Sequence, residues 1–299
     1  AGRTVRYMPL WSRKQQGGTG WGNCEKMKEY EEKCIALRTS IEQLAAKDMV
    51  VAFSGGADSS LLLKLACEAA GRNGRKVYAV TVHTRLHPAG DLEAAERTAR
   101  ETGAIHRILF ADELEEAGIR NNPTDRCYRC KKCLFQKIRR EAESLGTDVI
   151  LEGTNEDDLH VYRPGIRALG ELGILSPLAQ AGLTKAEVRR LAGEYGLSAA
   201  NRPAAPCLAT RFPYGARLSY ETMEKINQAE EYIRGLGFYN VRIRLHGDIA
   251  RIEVDSRDMD RLFAERQKLT EYMKDMGFVY VTLDLEGFRS GSMDVGIVK

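Results

Sequence analysis

The sequence predicts an α/β protein with a doubly wound parallel sheet, followed by a smaller C-terminal α+β module. First, short apolar segments rich in β-branched residues alternate with helical segments, which is typical of βαβ units. Second, a glycine-rich turn separates the first of these strands from its helix. Third, the pattern changes after about residue 213, where apolar and polar residues alternate as in an antiparallel hairpin.

The elements of the first part are predicted in order along the chain. Apolar residues at helical spacing, from Met27 to Leu44, predict a helix over about residues 24–47. Apolar, β-branched runs predict the strands of the parallel sheet: 49–54, 76–83, 106–111 and 148–154. Amphipathic runs that end at a glycine predict the helices: 59–71, 91–103, 130–146 and 184–196.

The second part has its own predicted order. A helix is followed by a hairpin around His246-Gly247-Asp248, a second helix and a last strand: 219–237, 239–255, 259–277 and 278–287. A polar, glycine-rich, aperiodic segment precedes the first helix. We therefore predict a mobile tail over 1–22, an α/β domain over 23–212 and a C-terminal α+β module over 213–299.

Composition limits the class of protein. The chain has 299 residues, of which 43% are hydrophobic and 29% charged, as in soluble globular proteins. No apolar run reaches the roughly 18 residues of a membrane helix, and no apolar secretory segment begins the chain. We expect a cytoplasmic protein with no membrane partner. A net charge of +3 does not indicate a bulk nucleic-acid binder, so no nucleic-acid partner is expected.

The turn after the first predicted strand has the composition of an anion site. It lies in "VVAFSGGADSSLLLKL", residues 50–65. Gly55 and Gly56 allow the backbone to approach a phosphate, and the N-terminus of the following helix adds positive potential. Hydroxyl groups come from Ser54, Ser59 and Ser60. Asp58 suits either a Mg²⁺ ligand or a cap of the turn. The lysine of a Walker-type loop is missing from this pattern.

This motif resembles the PP-loop of the ATP pyrophosphatases, with an adenine nucleotide alpha hydrolase-like fold. These enzymes cleave ATP between the α- and β-phosphates to adenylate an acceptor. "LEGTNEDD" at the end of the fourth strand is a second landmark of the superfamily. The resemblance implies ATP and Mg²⁺ as cofactors. It also implies a nucleotide site that includes, besides the turn itself, Ala52, Val82, His83, Gly153 and Thr154.

Three cysteines recur at intervals of three in "DRCYRCKKCLF": Cys127, Cys130 and Cys133. A fourth, Cys207, lies between prolines and a following arginine in "PAAPCLATRFPYG". A helix N-terminus and the neighbouring basic residues are expected to lower the pKa of these thiols. Structural zinc, a redox pair and an iron–sulfur cluster held by three cysteines are all compatible with this pattern. Cys133 suits packing as well as ligation.

Taken together, the PP-loop, R-C-Y-x-C-K-x-x-L-F, E-G-T-N-x-D-D and P-C-L-A-x-R resemble the LarE family over about residues 48–285. Members are ATP-dependent sulfur transferases of nickel-pincer cofactor synthesis. The resemblance implies pyridinium-3,5-biscarboxylic acid mononucleotide as substrate, with each carboxylate adenylated and then converted to a thiocarboxylate. It further implies a 4Fe-4S cluster on Cys127, Cys130 and Cys207, or sacrifice of the Cys207 sulfur itself. Cys133 departs from the family pattern.

The substrate that the resemblance implies carries a phosphate, and phosphates require cations. Arg211 follows the cysteine loop, while Arg242 and Arg244 share one face of a predicted strand. The resemblance supports all three as the phosphate site. Catalytic roles are expected for Asp58, Cys207 and Glu230, with Glu253 a weaker candidate.

Two other functions stay open. A PP-loop tRNA thiolation enzyme would use the same ATP chemistry and a similar three-cysteine cluster. A non-enzymatic, cysteine-rich metal-binding module would keep a degenerate nucleotide site. We expect a homo-oligomer that passes its product to other cofactor-synthesis proteins.

Overall fold

The computed structural model describes residues 20–87, 90–161, 163–201 and 206–289. The predicted mobile tail, residues 1–22, lies almost entirely outside these ranges, since the first helix begins at Gly20. The proposed division into 23–212 and 213–299 stays a prediction.

In the described chain, four parallel strands form the first sheet: β1 (Met49–Ala52), β2 (Val77–Thr84), β3 (Ile105–Ala111) and β4 (Val149–Leu151). Their order is β3-β2-β1-β4, so β1 lies between β2 and β4. The chain runs outward from β1 to β3 and then returns to the other side of β1. This reversal is a topological switch point, the place where open α/β sheets bind ligands. The predicted α/β class is confirmed.

Helices cover both faces of this sheet. They are α1 (Gly20–Leu44), α2 (Ala57–Arg72), α3 (Gly90–Thr102), α4 (Glu113–Glu116), α5 (Arg126–Ser144), α6 (Glu156–Leu159), α7 (Gly165–Glu171), α8 (Pro177–Gln180) and α9 (Lys185–Glu194). On one face, the core between α1, α2 and β1 consists of apolar side chains such as Leu37, Ile41, Leu61 and Val51. On the other face, Phe135 and Ile138 of α5 pack against β1 and β2.

The second sheet contains β5 (Val241–His246), β6 (Ile249–Val254) and β7 (Tyr280–Leu283), in that order. β5 and β6 form the predicted antiparallel hairpin, and β7 pairs with β6 in parallel. The helices of this part are α10 (Tyr220–Gly235), α11 (Met259–Ala264) and α12 (Arg266–Asp275). The single helix predicted over 259–277 is therefore two helices, separated at Glu265.

The core of the second sheet extends into the first part of the chain. Met223, Ile226 and Ile243 pack in the same buried cluster as Leu114 and Ile119, which lie between β3 and α5. The segment between β3 and α5, the helix that carries Cys127, Cys130 and Cys133, thus packs into the core of the C-terminal part. No helix in the described ranges is long and apolar enough to span a membrane.

Candidate active site

The glycine turn lies at the carboxyl end of β1 and opens α2. Gly55 has φ of +70°, and a Cβ there would lie 3.0 Å from the Cα of Ala95 in α3. The backbone N–H of Ser54 donates to Oγ of Ser59 (3.4 Å), whose hydroxyl donates to the carbonyl of Gly56 (3.2 Å). The turn is therefore folded on itself with the N-terminus of α2 behind it, as an anion site requires. Ser60 lies fully buried below the turn.

The end of β4 presses against this turn, as expected of neighbouring parallel strands. A Cβ on Gly153 would lie 3.0 Å from both the Cβ of Asp58 and the backbone nitrogen of Ser59. Thr154 is buried beside it. The two nucleotide landmarks of the sequence therefore meet at the switch point.

Asp58 has two partners from later in the chain. One carboxylate oxygen forms an ion pair with Nζ of Lys185, the first residue of α9, and the other accepts a hydrogen bond from Nδ2 of Asn155 (3.2 Å). A capping box of Thr184 and Glu187 fixes the start of α9. Sequence reasoning missed Lys185, although its place directly after a capping threonine marks it as a helix N-terminal residue.

Glu152 joins the nucleotide landmarks to the cysteine helix. Its buried carboxylate accepts hydrogen bonds from the backbone and hydroxyl of Thr154 (both 2.9 Å) and from Ser176 (2.5 Å). Lys131 of α5 lies 3.5 Å from the same carboxylate. Neither Glu152 nor Lys131 was predicted as a site residue.

A cavity of about 560 Å³ extends from the glycine turn to the cysteines. Its nucleotide end includes most of the predicted contacts: Ala52, Ser54, Asp58, Ser59, Val82, His83, Gly153 and Thr154. Its other end includes Arg126, Cys127, Cys130 and Cys207. Most of the predicted nucleotide site and three of the four candidate thiols therefore line a single cavity. Its volume is in the usual range for a ligand site.

Burial opposes ionisation of two of these thiols. Sγ of Cys130 donates to Oε1 of the fully buried Glu113 (3.1 Å). Burial, and then the Glu113 carboxylate, raise the pKa of Cys130. Burial also raises the pKa of Cys207 to about 11, against the opposing effect of the Arg126 guanidinium. The expected lowering of the thiol pKa is therefore not seen at these positions, because the other basic residues near them pair elsewhere: Arg129 with Asp125, Lys132 with Glu171.

Cys133 of α5 is not among the residues that line the cavity. It is half-buried, and burial and Glu116 raise the pKa of its thiol.

As a donor set, three thiols on one cavity suit an iron–sulfur cluster. As arranged here, they are not a closed set of ligands. Within the described ranges, no three His, Cys, Asp or Glu side chains are grouped so that they could hold a metal ion, and Cys130 is hydrogen-bonded to Glu113. The chemistry of the residues fits the cluster, but ligation requires Cys130 to leave Glu113.

The predicted substrate-binding arginines lie beyond the cavity, behind the loop of Cys207. Arg211 is buried and donates to both carboxylate oxygens of Glu230 (2.9 and 2.8 Å) and to the carbonyls of Pro206 (2.8 Å) and Cys207 (3.2 Å). Burial acts to raise the pKa of Glu230, but the Arg211 guanidinium holds it below its usual value. Glu230 is thus the anchor of Arg211 in this structure, and its expected catalytic role stays a prediction.

Arg244 and Arg242 differ in how their charge is balanced. Arg244 forms an ion pair with the buried Glu253 (3.1 Å). Arg242 is 8% exposed, donates to the carbonyl of Val241 (2.7 Å) and lies over the ring of Phe288. Burial and the nearby Arg211 lower its pKa to about 10. In the part of the chain that the structure describes, no carboxylate forms an ion pair with Arg242, so its surroundings favour an added anion.

Comparison with known proteins agrees with these features. A family model described as a PP-loop domain matches residues 29–160. A pyridinium-3,5-bisthiocarboxylic acid mononucleotide synthase of Lactiplantibacillus plantarum is 38% identical over 268 residues, covering 89% of this chain and 96% of that protein. An uncharacterized protein of Synechocystis is 37% identical, covering 84% and 93%. A tRNA-specific 2-thiouridylase of Rickettsia bellii is 26% identical over only 52% of this chain.

A parallel sheet with a glycine turn at its switch point, together with the matching domain, defines an ATP-binding PP-loop protein. Identity to the Lactiplantibacillus protein over nearly its whole length goes further. The chain belongs to the LarE family and is an ATP-dependent sulfurtransferase.

Proposed function

We propose that the enzyme adenylates the carboxylates of pyridinium-3,5-biscarboxylic acid mononucleotide and converts them to thiocarboxylates for the nickel-pincer nucleotide cofactor. The observation that carries this proposal is the shared cavity, which has a phosphate-binding turn at one end and three thiols at the other. The similarity to a named synthase of the bisthiocarboxylic product over 96% of its length supports the same chemistry.

The first step activates a carboxylate. A carboxylate is a poor electrophile, whereas its adenylate has AMP as a good leaving group. The glycine turn and the N-terminus of α2 bind the ATP phosphates, and the departing pyrophosphate stays there. Asp58 is the proposed Mg²⁺ ligand and Lys185 the cation that holds its carboxylate in place and compensates phosphate charge. The strand ends at Ala52 and Val82 receive the adenosine.

The second step brings sulfur to the activated carbonyl carbon. Cys127, Cys130 and Cys207 would hold a 4Fe-4S cluster, which supplies a sulfide nucleophile when bound. The alternative is that the Cys207 thiol itself attacks and its sulfur is lost to the product, leaving dehydroalanine. In both cases sulfur bonds to the carbonyl carbon and AMP departs.

Arg242 is the proposed contact for the phosphate of the mononucleotide. Of the three predicted substrate-binding arginines, it is the one that pairs with no described carboxylate, whereas Arg211 and Arg244 are held by Glu230 and Glu253. Arg211 and Arg244 position the loop of Cys207, since they donate to the carbonyls of Cys207 and Thr210. Cytoplasmic location, homo-oligomer formation and transfer of the product to other cofactor-synthesis proteins remain predictions.

The test uses anaerobically purified full-length protein, ATP, Mg²⁺ and the pyridinium mononucleotide. We expect pyrophosphate release that requires both substrates, and a product whose mass shows oxygen replaced by sulfur. Absence of acceptor-dependent pyrophosphate release would refute the proposal.

Iron and sulfide analysis then separates the two sulfur sources. About four iron atoms per chain, lost in Cys127→Ser, Cys130→Ser and Cys207→Ser and kept in Cys133→Ser, would establish the cluster. No iron, with a loss of about 34 Da from Cys207 for each sulfur transferred, would establish the sacrificial route.

A further inference from the structure

Among the described residues, each carboxylate that lines the cavity is paired with a basic side chain: Asp58 with Lys185, Glu152 with Lys131 and Asp158 with Arg163. The nitrogen and oxygen atoms of the last two pairs lie 3.5 Å and 2.9 Å apart. The negative charge on the walls of the cavity is therefore already compensated by the chain itself. A divalent cation that enters without a nucleotide meets no described carboxylate that lacks a counter-charge.

Both oxygens of the Asp58 carboxylate have partners. Oδ2 pairs with Nζ of Lys185, and Oδ1 accepts a hydrogen bond from Nδ2 of Asn155 (3.2 Å). Lys185 is the first residue of α9, whose start is fixed by the capping box of Thr184 and Glu187. An ammonium group in contact with a carboxylate neutralises the charge that would attract a metal ion, and it also repels that ion. Lys185 therefore opposes metal binding at Asp58.

The donor atoms at Asp58 suit Mg²⁺, but they do not complete a site for it. Mg²⁺ is usually bound by one or two carboxylates together with water and substrate phosphates. Within the ranges that the structure describes, no three His, Cys, Asp or Glu side chains are grouped so that they could hold a metal ion. The further oxygen ligands are ones that a nucleotide carries. The residues at Asp58 therefore favour a cation that enters together with a triphosphate.

We propose that Lys185 takes the place of the metal ion at Asp58 until the phosphates of ATP draw its ammonium group away and free the carboxylate for Mg²⁺. The inference rests on the proposed function in placing the triphosphate at the glycine turn. It adds to the charge compensation proposed for Lys185 above an order of binding: free Mg²⁺ is excluded, and metal and nucleotide each increase the affinity for the other.

The test measures Mn²⁺, which favours the same oxygen ligands as Mg²⁺ and gives an electron paramagnetic resonance signal when free in solution. Full-length protein is titrated with Mn²⁺ in the absence of nucleotide. Lys185→Met should bind about one Mn²⁺ per chain, with a Kd at least about tenfold lower than that of the wild-type protein, because the repelling ammonium group is gone. An ATP analogue with a methylene group between the α- and β-phosphates should restore Mn²⁺ binding to the wild-type protein, after subtraction of the Mn²⁺ that the analogue binds alone.

Further variants show where the gained Mn²⁺ binds. Asp58→Asn combined with Lys185→Met should lose the gained site. Lys185→Arg keeps a cation at Asp58 and should exclude Mn²⁺ as the wild-type protein does. Lys33→Met is the matched control, since Lys33 pairs with Glu187 of α9 and neither residue lines the cavity. It should titrate as the wild-type protein.

The proposal is overturned if Lys185→Met gains no Mn²⁺ site, or if the wild-type protein binds Mn²⁺ as tightly without nucleotide as this variant does. A gained site that persists in the double variant also overturns it, because the metal would then lie away from Asp58. If Lys185→Met does not fold, Lys185→Gln provides the same comparison. The titration contains no acceptor and needs no turnover, so its outcome does not depend on whether thiolation occurs. Loss of acceptor-dependent pyrophosphate release, with the Mn²⁺ result intact, would refute the proposed function alone.

Discussion

Lys185 and Asp58 form an ion pair between the first turn of α9 and the first turn of α2, 127 positions apart in the sequence. Asn155 holds the other oxygen of the same carboxylate. Asp58 is thus the point at which α2, α9 and the segment after β4 meet. The pair is partly exposed, with 36% of the lysine side chain and 20% of the aspartate side chain accessible, so its contribution to stability is small. We therefore expect the pair to act in binding the nucleotide and not in stabilising the fold.

Replacement of Lys185 should therefore affect catalysis more than folding. Lys185→Met removes the cation that pairs with Asp58, a residue lining the cavity beside the glycine turn, and the rate of pyrophosphate release should fall by about 100-fold or more. The melting temperature should change little. The matched control is Lys33→Met. It removes an ion pair between Lys33 of α1 and Glu187 of α9, and neither residue lines the cavity. Equal losses of activity in both variants would show that the effect comes from α9 as a whole.

Gly153→Ala should displace the glycine turn. The new Cβ would lie 3.0 Å from two atoms of the segment 58–59, one of them backbone, so the turn must shift to receive it. We expect KM for ATP to rise at least about tenfold, since sub-ångström displacement of binding groups is costly. Gly193→Ala is the control: no atom lies within 4 Å of its Cβ position, and it should stabilise α9 by about 0.5–1 kcal/mol. An unchanged KM in Gly153→Ala would contradict the contact between the two landmarks.

Arg242 and Arg244 should respond in opposite ways to the same substitution. Arg244→Met removes one cation paired with the buried Glu253, while Arg251 stays 3.1 Å from the same carboxylate, and should lower the unfolding free energy by about 1–3 kcal/mol. Arg242→Met removes a buried cation that no described carboxylate pairs with, so unfolding free energy should stay the same or rise. The same variant should raise KM for the mononucleotide strongly. Urea denaturation and steady-state kinetics check both effects, and a large destabilisation by Arg242→Met would exclude its assignment to the substrate phosphate.

Glu230 should make the fold sensitive to acid. Its pKa is lowered in the folded protein, so its stabilising effect is present above the unfolded-state pKa, about 4 for a glutamate. This stabilisation is lost as pH falls through the lower folded-state value. Glu230→Gln should reduce unfolding free energy by about 3–5 kcal/mol near neutral pH, and should show a smaller further loss in acid than the wild-type protein.

Denaturation at about pH 7 and about pH 3 measures this difference. Glu224→Gln, an exposed position on the same helix, serves as the reference and should behave as the wild-type protein. The argument fails if Glu230→Gln and the wild-type protein lose the same free energy in acid.

Local patterns were sufficient to predict the sheet strands and the glycine turn. Residues 49–54 and 76–83 are apolar and β-branched, and such runs define buried parallel strands whatever surrounds them. The short helices α4, α6, α7 and α8 were not predicted, because segments of four to seven residues carry too few turns to show helical spacing. The break between α11 and α12 at Glu265 has neither proline nor glycine to mark it.

The site was predictable where a motif is contiguous and was missed where partners come from distant segments. Gly55 and Gly153 stand in recognisable motifs. Lys185 and Glu152 acquire their importance from side chains that the fold brings to them: Asp58 and Lys131. The pKa of Cys130 was expected to be lowered, because its neighbours in sequence are basic, but burial against Glu113 decides it.

The contacts of Arg211 connect the loop of Cys207 with the surroundings of Arg242. Its guanidinium supports the main chain at Cys207 and lies close enough to Arg242 to influence its charge. With the phosphate on Arg242 and the sulfur at Cys207, as proposed above, these contacts would hold the two groups at a set separation. We therefore expect discrimination by substrate length: a pyridine acid without its ribose phosphate should enter the cavity but lack the contact with Arg242, and its carboxyl group should not be brought to the sulfur.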